Sequence, residues 1–587
     1  MYYIFASSKK VDLTPIKNMN KESISWCVPK DFEISEEYHY NLKGNRIFDC
    51  YSFTEGIKKN VDENHDQLHF FHGYLLRKEG IDDILRIDPE KNYYGVYSHG
   101  KITHESCYFA TDEIGLSPLY YSSENGIVFV SNNPHLIAIY KRKLGFEIKV
   151  EPTLAVWHTI GITNESNNTG YAGIYRVKPW RYIFVDVEDN ILFPTKERLG
   201  KDNSYEDLVY ESIKELRNGM ETINEIFENK HSQLTGGFDS RLVMAYIIDN
   251  GNCSDWDFTT KGTMKNPDCI VADMLGKQFG LNYKIEPRKH FKEKVDDIDG
   301  YVKDICMANA MESSLVRLNN FQGMRTNEVC LNGMGAVFAK SLDFASSFKI
   351  FMQRKFRGQN IDFDNLTDEQ YNQGYDCFGH ADVDRFFLKE SGLDVVKEFR
   401  KYLFKFNYNR FQDNMNYADA MSAYRWRIHN CNLATMENNL IFLYSPIVLE
   451  ASRKLDYHLR NEGKLYFDMM WRLNPELCFI PFENRVYNPD LYKEFPNEIK
   501  NIFKNIPPVT GDITSESQIT FFDTILPIMK DTLVDSLPSE IFDYINKDSV
   551  IERLNNNDGF GKPVFALMGL YGISKWYEIV KDLNEKI

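Results

Sequence analysis

Several features that would place this 587-residue chain in a familiar class are missing from its sequence. No apolar run reaches the roughly 18 to 20 residues that cross a bilayer. The first residues, MYYIFASSKKVDLTPIKN, lack the apolar length and the charge order of a signal peptide. The ten cysteines are scattered, without a CxxC pair or a cluster with histidine, which argues against structural zinc and a disulfide framework. We therefore expect a cytoplasmic protein with no membrane partner.

An excess of positive charge and the two commonest nucleotide-binding loops are also missing. The net charge of −16 disfavours a surface for duplex nucleic acid, so we expect no nucleic-acid partner. The sequence contains no GxxxxGK[ST] motif, and no GxGxxG follows a predicted strand. What the chain does have is 43% hydrophobic residues over a length that exceeds one ordinary core, which predicts two domains.

Secondary-structure patterns divide the chain near residue 200. Between about 66 and 188, short β runs alternate with turn residues, and YYSSENGIVFV places Asn125 and Gly126 between two apolar runs, which predicts a hairpin. Helical spacing predicts a long helix capped by Ser204. Strands and helices then alternate from about 230 to 340, which is typical of a doubly wound parallel sheet. Helical patterns dominate from about 345 onward.

The segment HSQLTGGFDSRLVMAYI, residues 231 to 247, places a glycine-rich turn between a predicted strand and a predicted helix. Open α/β sheets bind ligands at this position, and glycines let backbone N–H groups approach an anion at the helix N-terminus. The carboxylate predicts a Mg²⁺ between itself and the phosphates. A glycine turn with ordinary helix caps is the alternative that these residues leave open. The candidate ligands of a magnesium-bound polyphosphate are Thr235, Gly236, Gly237, Asp239 and Ser240.

This turn, TGGFDS, resembles the SGGxDS pyrophosphate loop of the N-type ATP pyrophosphatases. The asparagine-synthetase branch of that family is similar in three further segments in the same order: KNPDCIVADMLGKQFGLNYKIEP, with Asp268 and Ala272, then LNGMGAVF, then LYSPIV at 443 to 448. Upstream, FATDEIGLSPLYYSSENGIVFVSNNP resembles the signature of the class II glutaminase domain. That second resemblance is carried by Asp112, Gly115, Pro118, Leu119, Tyr120 and Ser131.

The resemblance implies both an architecture and a reaction. It implies an α+β sandwich of the Ntn-hydrolase type over residues 1–195. An α/β parallel-sheet PP-loop domain with a largely helical C-terminal elaboration would follow over 200–587. Enzymes of the branch activate a carboxylate with ATP, release pyrophosphate and form an amide with an amine or ammonia. The implied cofactors are ATP and Mg²⁺, with Asp239 as the metal ligand and Gly333 and Gly335 beside the pyrophosphate. A homodimer is left open.

The sequence departs from the family pattern at positions that matter for activity. The family's glutaminase nucleophile is an N-terminal cysteine whose α-amine serves as base. Here the chain begins Met1-Tyr2-Tyr3, and the nearest cysteine is Cys27. We therefore expect no glutamine hydrolysis, as in the β-lactam synthetases and lasso-peptide cyclases. Trp180 stands where a glycine is usual.

Two further departures concern the synthetase site itself. Val337 replaces the acid of the second phosphate loop, and no lysine matches the one that stabilises the adenylation transition state. A cation for the developing phosphate charge and a base for the attacking amine must therefore be sought elsewhere. Each candidate is also readable as an ordinary surface or turn residue. The candidates are Arg485 and Lys562 as cations and Glu437 as the base.

Three alternatives follow from these departures. A nucleotide-binding pseudoenzyme is favoured by Val337 and the unassigned lysine, and it is disfavoured by the intact TGGFDS turn. Asparagine synthesis from free ammonia fits the loss of the cysteine. An interaction protein without a nucleotide site would require the glycine turn to be purely structural.

Overall fold

The residues that the structure describes form three β-sheets. The computed structural model describes residues 1–25, 33–53, 61–64, 67–76, 84–159, 167–287, 297–311, 328–340, 387–404, 439–511, 516–556 and 562–587, with short stretches between 352 and 370. Cys27 and Glu437 therefore lie outside the described residues.

Two antiparallel sheets of six strands each occupy the N-terminal part, and their facing sides share one hydrophobic core. Strand β1 shows how alternation produces this layering, since Tyr3 and Phe5 pack between the sheets while Ile4 and Ala6 pack against helices on the other side. The first sheet has the order β10 (Tyr175–Arg176), β8 (Tyr120–Glu124), β9 (Ile127–Ser131), β1 (Tyr2–Ser7), β3 (Arg46–Ser52), β2 (Glu36–Leu42). The second has the order β12 (Ile191–Leu192), β11 (Ile183–Val185), β7 (Cys107–Thr111), β6 (Gly95–Ile102), β5 (Gln67–Leu75), β4 (Val61–Asn64).

Helices from both ends of the chain cover the outer face of the first sheet in one continuous core. The Trp576 indole N–H donates to the Gly170 carbonyl at 2.8 Å, and the Arg142 guanidinium donates to the Asn584 carbonyl at 2.8 Å. The C-terminal helices are therefore fixed to the N-terminal sandwich. The helices of this layer are α1 (Lys21–Ile24), α2 (Pro134–Lys143), α3 (Leu154–Thr159), α7 (Ile298–Asn309), α8 (Glu390–Phe404), α13 (Glu516–Ser536), α14 (Lys547–Asn556) and α15 (Lys562–Lys586).

A five-stranded parallel sheet forms the second half of the fold, in the order β15 (Asn282–Glu286), β14 (Trp256–Lys261), β13 (Asn229–Gln233), β16 (Glu328–Leu331), β17 (Asn439–Leu440). The chain runs outward from β13 to β15 and then returns to the opposite side of β13. The carboxyl ends of β13 and β16 therefore border a topological switch point, where open parallel sheets bind their ligands. The predicted parallel sheet is confirmed.

Helices α4 (Tyr205–Ile226), α5 (Phe238–Asp249) and α6 (Pro267–Phe279) belong to this unit. The predicted cap of α4 is confirmed, because the Ser204 side chain accepts the Asp207 N–H. The predicted hairpin is confirmed by the antiparallel pairing of β8 with β9. The remaining helices are α9 (Pro446–Arg453), α10 (Tyr457–Asn461), α11 (Lys464–Leu473) and α12 (Asn497–Lys504). Among the described residues, no helix combines the length and apolarity that a bilayer crossing demands.

A buried ion-pair network joins the sandwich to the parallel-sheet unit. The Arg453 guanidinium lies 2.9 Å from Glu113 and 3.1 Å from Glu450, and the latter also receives hydrogen bonds from Arg198 at 2.8 to 3.1 Å. The Trp180 indole donates to Glu113 at 2.6 Å, and its ring lies 4.6 Å below Arg453. Trp180 has a left-handed φ of 59°, the conformation for which glycine is usual. These contacts fix the backbone at Trp180.

Candidate functional site

The TGGFDS turn leaves the end of β13 and enters α5, as the sequence predicts. The Thr235 N–H donates to the Ser240 hydroxyl oxygen at 2.9 Å, and the two hydroxyl oxygens lie 2.9 Å apart. The Gly236 N–H donates to Asp268, at the start of α6, at 2.8 Å. The turn is therefore held from both sides before the helix begins.

The two glycines of the turn have different reasons to be glycine, and neither has a positive φ. A Cβ on Gly236 would lie 3.1 Å from Glu483 Cβ and 3.3 Å from Asp268, so a side chain there would require its neighbours to shift by a few tenths of an ångström. Gly237 is the N-cap of α5 with φ −83° and ψ 174°, which any residue adopts, and among the described residues its Cβ would meet only the Thr235 hydroxyl at 3.7 Å. The described part of the fold therefore gives no reason for glycine at 237.

The second loop, Gly333–Ala339, follows β16 and lies against the first turn of α5. A Cβ on Gly333 would lie 2.5 Å from Asp239 Cβ and 3.1 Å from the Ser240 nitrogen, so the two loops are in direct contact. Gly335 packs instead against the backbone of Tyr444, 2.7 Å from where its Cβ would be. The phosphate-binding roles of these two glycines stay predictions.

A lysine that the sequence analysis did not single out faces the candidate metal ligand. The Lys340 ammonium lies 2.6 Å from one carboxylate oxygen of Asp239 and 2.7 Å from the other. Both side chains are partly exposed, at 24% and 25%. Asp239, which was predicted to bind Mg²⁺, is therefore already paired with a cation from the chain itself.

A buried arginine ties the turn to the segment that carries Arg485. The Arg241 guanidinium donates to the carbonyls of Ile480 and Pro481, each at 2.9 Å, and to that of Gly236 at 3.2 Å. Burial lowers the pKa of Arg241 from its ordinary value. The exposed Arg485 has its guanidinium carbon 5.3 Å from the Phe238 ring centroid, which places it beside the start of α5.

The other two predicted catalytic candidates receive no support from these contacts. Lys562 is the first residue of α15, and its side chain is not described. Glu437 is outside the described residues, as is the side chain of Val337.

Two carboxyl groups meet at the edge of the turn. Glu483 hydrogen bonds to Asp268, which also accepts the Gly236 N–H. Burial, followed by the hydrogen bond and the negative charge of Asp268, raises the pKa of Glu483 to about 8. Glu483 therefore keeps its proton near neutral pH. It adds a negative charge beside the turn only when the pH rises above about 8.

Glu483→Gln should make the protein more stable in alkali than the wild type. The folded pKa of Glu483 exceeds its unfolded value near 4.5, so the folded state binds the proton more tightly, and its stability falls as the pH rises towards 8. We expect the stability of the variant relative to wild type to rise by about 1–3 kcal/mol between pH 5 and pH 9, after allowance for partial exposure. Urea unfolding at the two pH values measures this. Glu494→Gln, at an exposed position, is the control for the loss of one negative charge. If the stability of Glu483→Gln relative to wild type is the same at pH 5 and pH 9, the shared proton would be contradicted.

Comparison with known proteins leaves the family unassigned. No family model matches the sequence, and no curated protein matches it. Among solved structures, the glutamine phosphoribosylpyrophosphate amidotransferase of B. subtilis, complexed with ADP and GMP, aligns at 10% identity over 60% of this chain and 79% of its own, with a TM-score of 0.21. A likeness at that level supports no argument about fold or function. The resemblance to asparagine synthetases therefore stays a prediction that rests on the motifs.

Sequence reasoning missed the residues that need tertiary structure to be seen. Lys340 comes within reach of Asp239 because the loop after β16 folds onto α5, and 101 positions separate the two in sequence. Arg241 directly follows the motif, but its partners are carbonyls about 240 residues away. A lysine at the end of the glycine loop was the available signal for Lys340. No pattern in the sequence indicated the partners of Arg241.

Proposed function

We propose that this chain is an ATP-dependent ligase of the asparagine-synthetase type. It would adenylate a substrate carboxylate, releasing pyrophosphate, and pass the acyl group to an amine or to ammonia, without hydrolysing glutamine. AMP would leave when the amide forms.

The observation that carries the proposal is Gly237. Its backbone conformation suits any residue, and no atom of the residues that the structure describes lies close enough to exclude a Cβ. A glycine that the fold does not need is explained by a ligand that must approach the backbone closely. The position of Gly237, where the strand order of the parallel sheet reverses, is the place at which such folds bind ligands.

The surrounding residues fit a triphosphate. Among the described residues, the Thr235 hydroxyl accepts the Gly237 N–H at 3.4 Å, but no side chain caps the first turn of α5 beyond it. The dipole of that helix favours an anion, and the hydroxyls of Thr235 and Ser240 lie at the same end. The cations Lys340 and Arg485 border the turn. When bound, ATP would supply the adenylyl group that activates the carboxylate.

The described residues offer fewer ligands for Mg²⁺ than for the phosphates. Among the described residues, no group of three His, Cys, Asp or Glu side chains forms a metal cluster. Asp239 is the carboxylate available at the phosphate side of the turn, and it would bind Mg²⁺ once Lys340 turns away. A single protein carboxylate with phosphate oxygens and water is an ordinary magnesium environment.

Two measurements on the same protein test the proposal. We expect MgATP to raise the melting temperature, because a ligand that binds only the folded state stabilises it. We also expect exchange of radiolabelled pyrophosphate into ATP in the presence of a suitable carboxylate. Absence of both responses would contradict the proposal.

Nucleotide binding without turnover is the second candidate. The observation that favours it is the ion pair of Lys340 with Asp239, since an ammonium held there competes with a metal. A thermal shift with ATP, combined with no pyrophosphate exchange for any carboxylate, would support it.

A further inference from the structure

We infer that Lys340 is a phosphate-binding residue of this site, and the inference rests on the proposed function. In the free protein its ammonium is held by Asp239. When a triphosphate binds, the ammonium turns to the phosphate oxygens and leaves the carboxylate to Mg²⁺. The Lys340 side chain thus supplies a positive charge on a loop that has no acidic residue to bind a second metal ion.

The loop sequence requires such a source of charge. The segment from Gly333 to Lys340 reads GMGAVFAK and contains no carboxylate, so it offers no ligand for a second metal ion. A triphosphate carries several negative charges, and Asp239 adds another at the same place. A cation on this loop offsets part of that repulsion, and the lysine is the loop's one basic residue.

The backbone that carries Lys340 is fixed, while its ammonium stays reachable. The Ser452 hydroxyl donates to the Ala339 carbonyl at 2.6 Å, and the Tyr466 hydroxyl donates to the Ala336 carbonyl. Gly333 holds the start of the loop against Asp239. The Lys340 side chain is 24% exposed and its nitrogen lies 6.0 Å from the Tyr466 ring centroid. The anchor is therefore rigid, and the four-carbon stem is free to swing.

The geometry also places the ammonium on the phosphate side of the turn. Asp239 is the second residue of α5, next to the N-terminus that favours anions. The ammonium that lies within 2.7 Å of both of its oxygens is therefore close to that terminus. An ammonium has three donors, so it does not need the bidentate geometry of an arginine to exchange one oxygen partner for another.

Two probes and two variants test this inference. ATP and inorganic tripolyphosphate are titrated by calorimetry into wild type, Lys340→Gln and Lys575→Gln, with EDTA and again with excess Mg²⁺. Lys575 is a matched control, since it is another partly buried lysine, paired with Asp299 and Glu578 on the outer helical layer. We expect Lys340→Gln to weaken both probes by about tenfold or more in EDTA, the cost of losing a charged hydrogen bond, while Lys575→Gln binds as wild type does.

A Lys340→Gln variant whose affinity for the probes is unchanged or increased would overturn the inference. If Lys340 only neutralises Asp239, its removal frees the carboxylate, and Lys340→Gln binds MgATP as tightly as wild type or more tightly. Equal binding of both probes in EDTA by wild type and Lys340→Gln would also overturn it. If wild type binds tripolyphosphate but not ATP, the proposed function would be contradicted, while Lys340 would remain a ligand for anions. If wild type binds neither probe, both the inference about Lys340 and the proposed function would be contradicted.

Discussion

Gly237→Ser should weaken ATP binding by at least about 100-fold while leaving the free protein as stable as wild type or slightly more stable. The backbone at 237 is extended, and serine is a better N-cap than glycine by a few tenths of a kcal/mol. The new side chain would occupy the space beside Thr235 in which phosphate oxygens must approach the backbone. Loss of two charged hydrogen bonds accounts for a change of that size.

Calorimetry and urea unfolding on the same preparation measure the two halves of this prediction. A variant that binds ATP as wild type does would show that the open space at Gly237 is not a phosphate site. A variant that loses both binding and stability would show that the fold requires glycine at 237. That result would favour the alternative of a purely structural glycine turn.

Arg453→Met should destabilise the protein by about 3–5 kcal/mol at pH 7, the cost of leaving buried carboxylates without their partner. Glu113 and Glu450 are only 2% and 1% exposed, and each lies within 3.1 Å of the Arg453 guanidinium. The network joins the sandwich to the helix that follows β17, so both halves of the fold lose support. Urea unfolding measures the difference.

The pH dependence identifies the cause of that loss. Burial alone would raise the pKa of Glu450, but the charges of Arg453 and Arg198 lower it below the usual value. A lowered pKa contributes stability above the unfolded value near 4.5, and the contribution is lost as the pH falls. The difference between wild type and Arg453→Met should therefore shrink in acid.

The matched control is Arg217→Met, which removes an exposed pair. Arg217 is 45% exposed and forms two hydrogen bonds with Asp249 on the surface of α4 and α5. Its loss should cost about 1 kcal/mol or less, since solvent screens such pairs. Equal costs for the two variants would contradict the role of burial in the network.

Local patterns made much of the fold predictable, because hydrophobic period and capping chemistry act over a few residues. The helix after Ser204, the Asn125–Gly126 hairpin and the alternating strands and helices after residue 230 follow from such signals. The strand order that brings the loops after β13 and β16 together does not, because pairing of distant strands leaves no local pattern.

The site shows the same division. TGGFDS was recognised because the resemblance that it carries depends only on residue types that are adjacent in sequence. Lys340 and the Asp268–Glu483 pair were missed because their partners come from other loops. Asp239 was predicted to face a metal ion, and the structure pairs it with an ammonium, a contact that only the fold of the second loop produces. The motif located the candidate site but did not indicate its charge balance.

The most direct test of the nucleotide site is a crystal structure of the protein with Mg²⁺ and an ATP analogue that resists cleavage between the α- and β-phosphates. The account predicts phosphate oxygens within about 3 Å of the backbone nitrogens at the start of α5, beside Gly237, with the Lys340 ammonium turned towards them. A nucleotide bound elsewhere, or an empty turn with Lys340 still on Asp239 at saturating analogue, would contradict it.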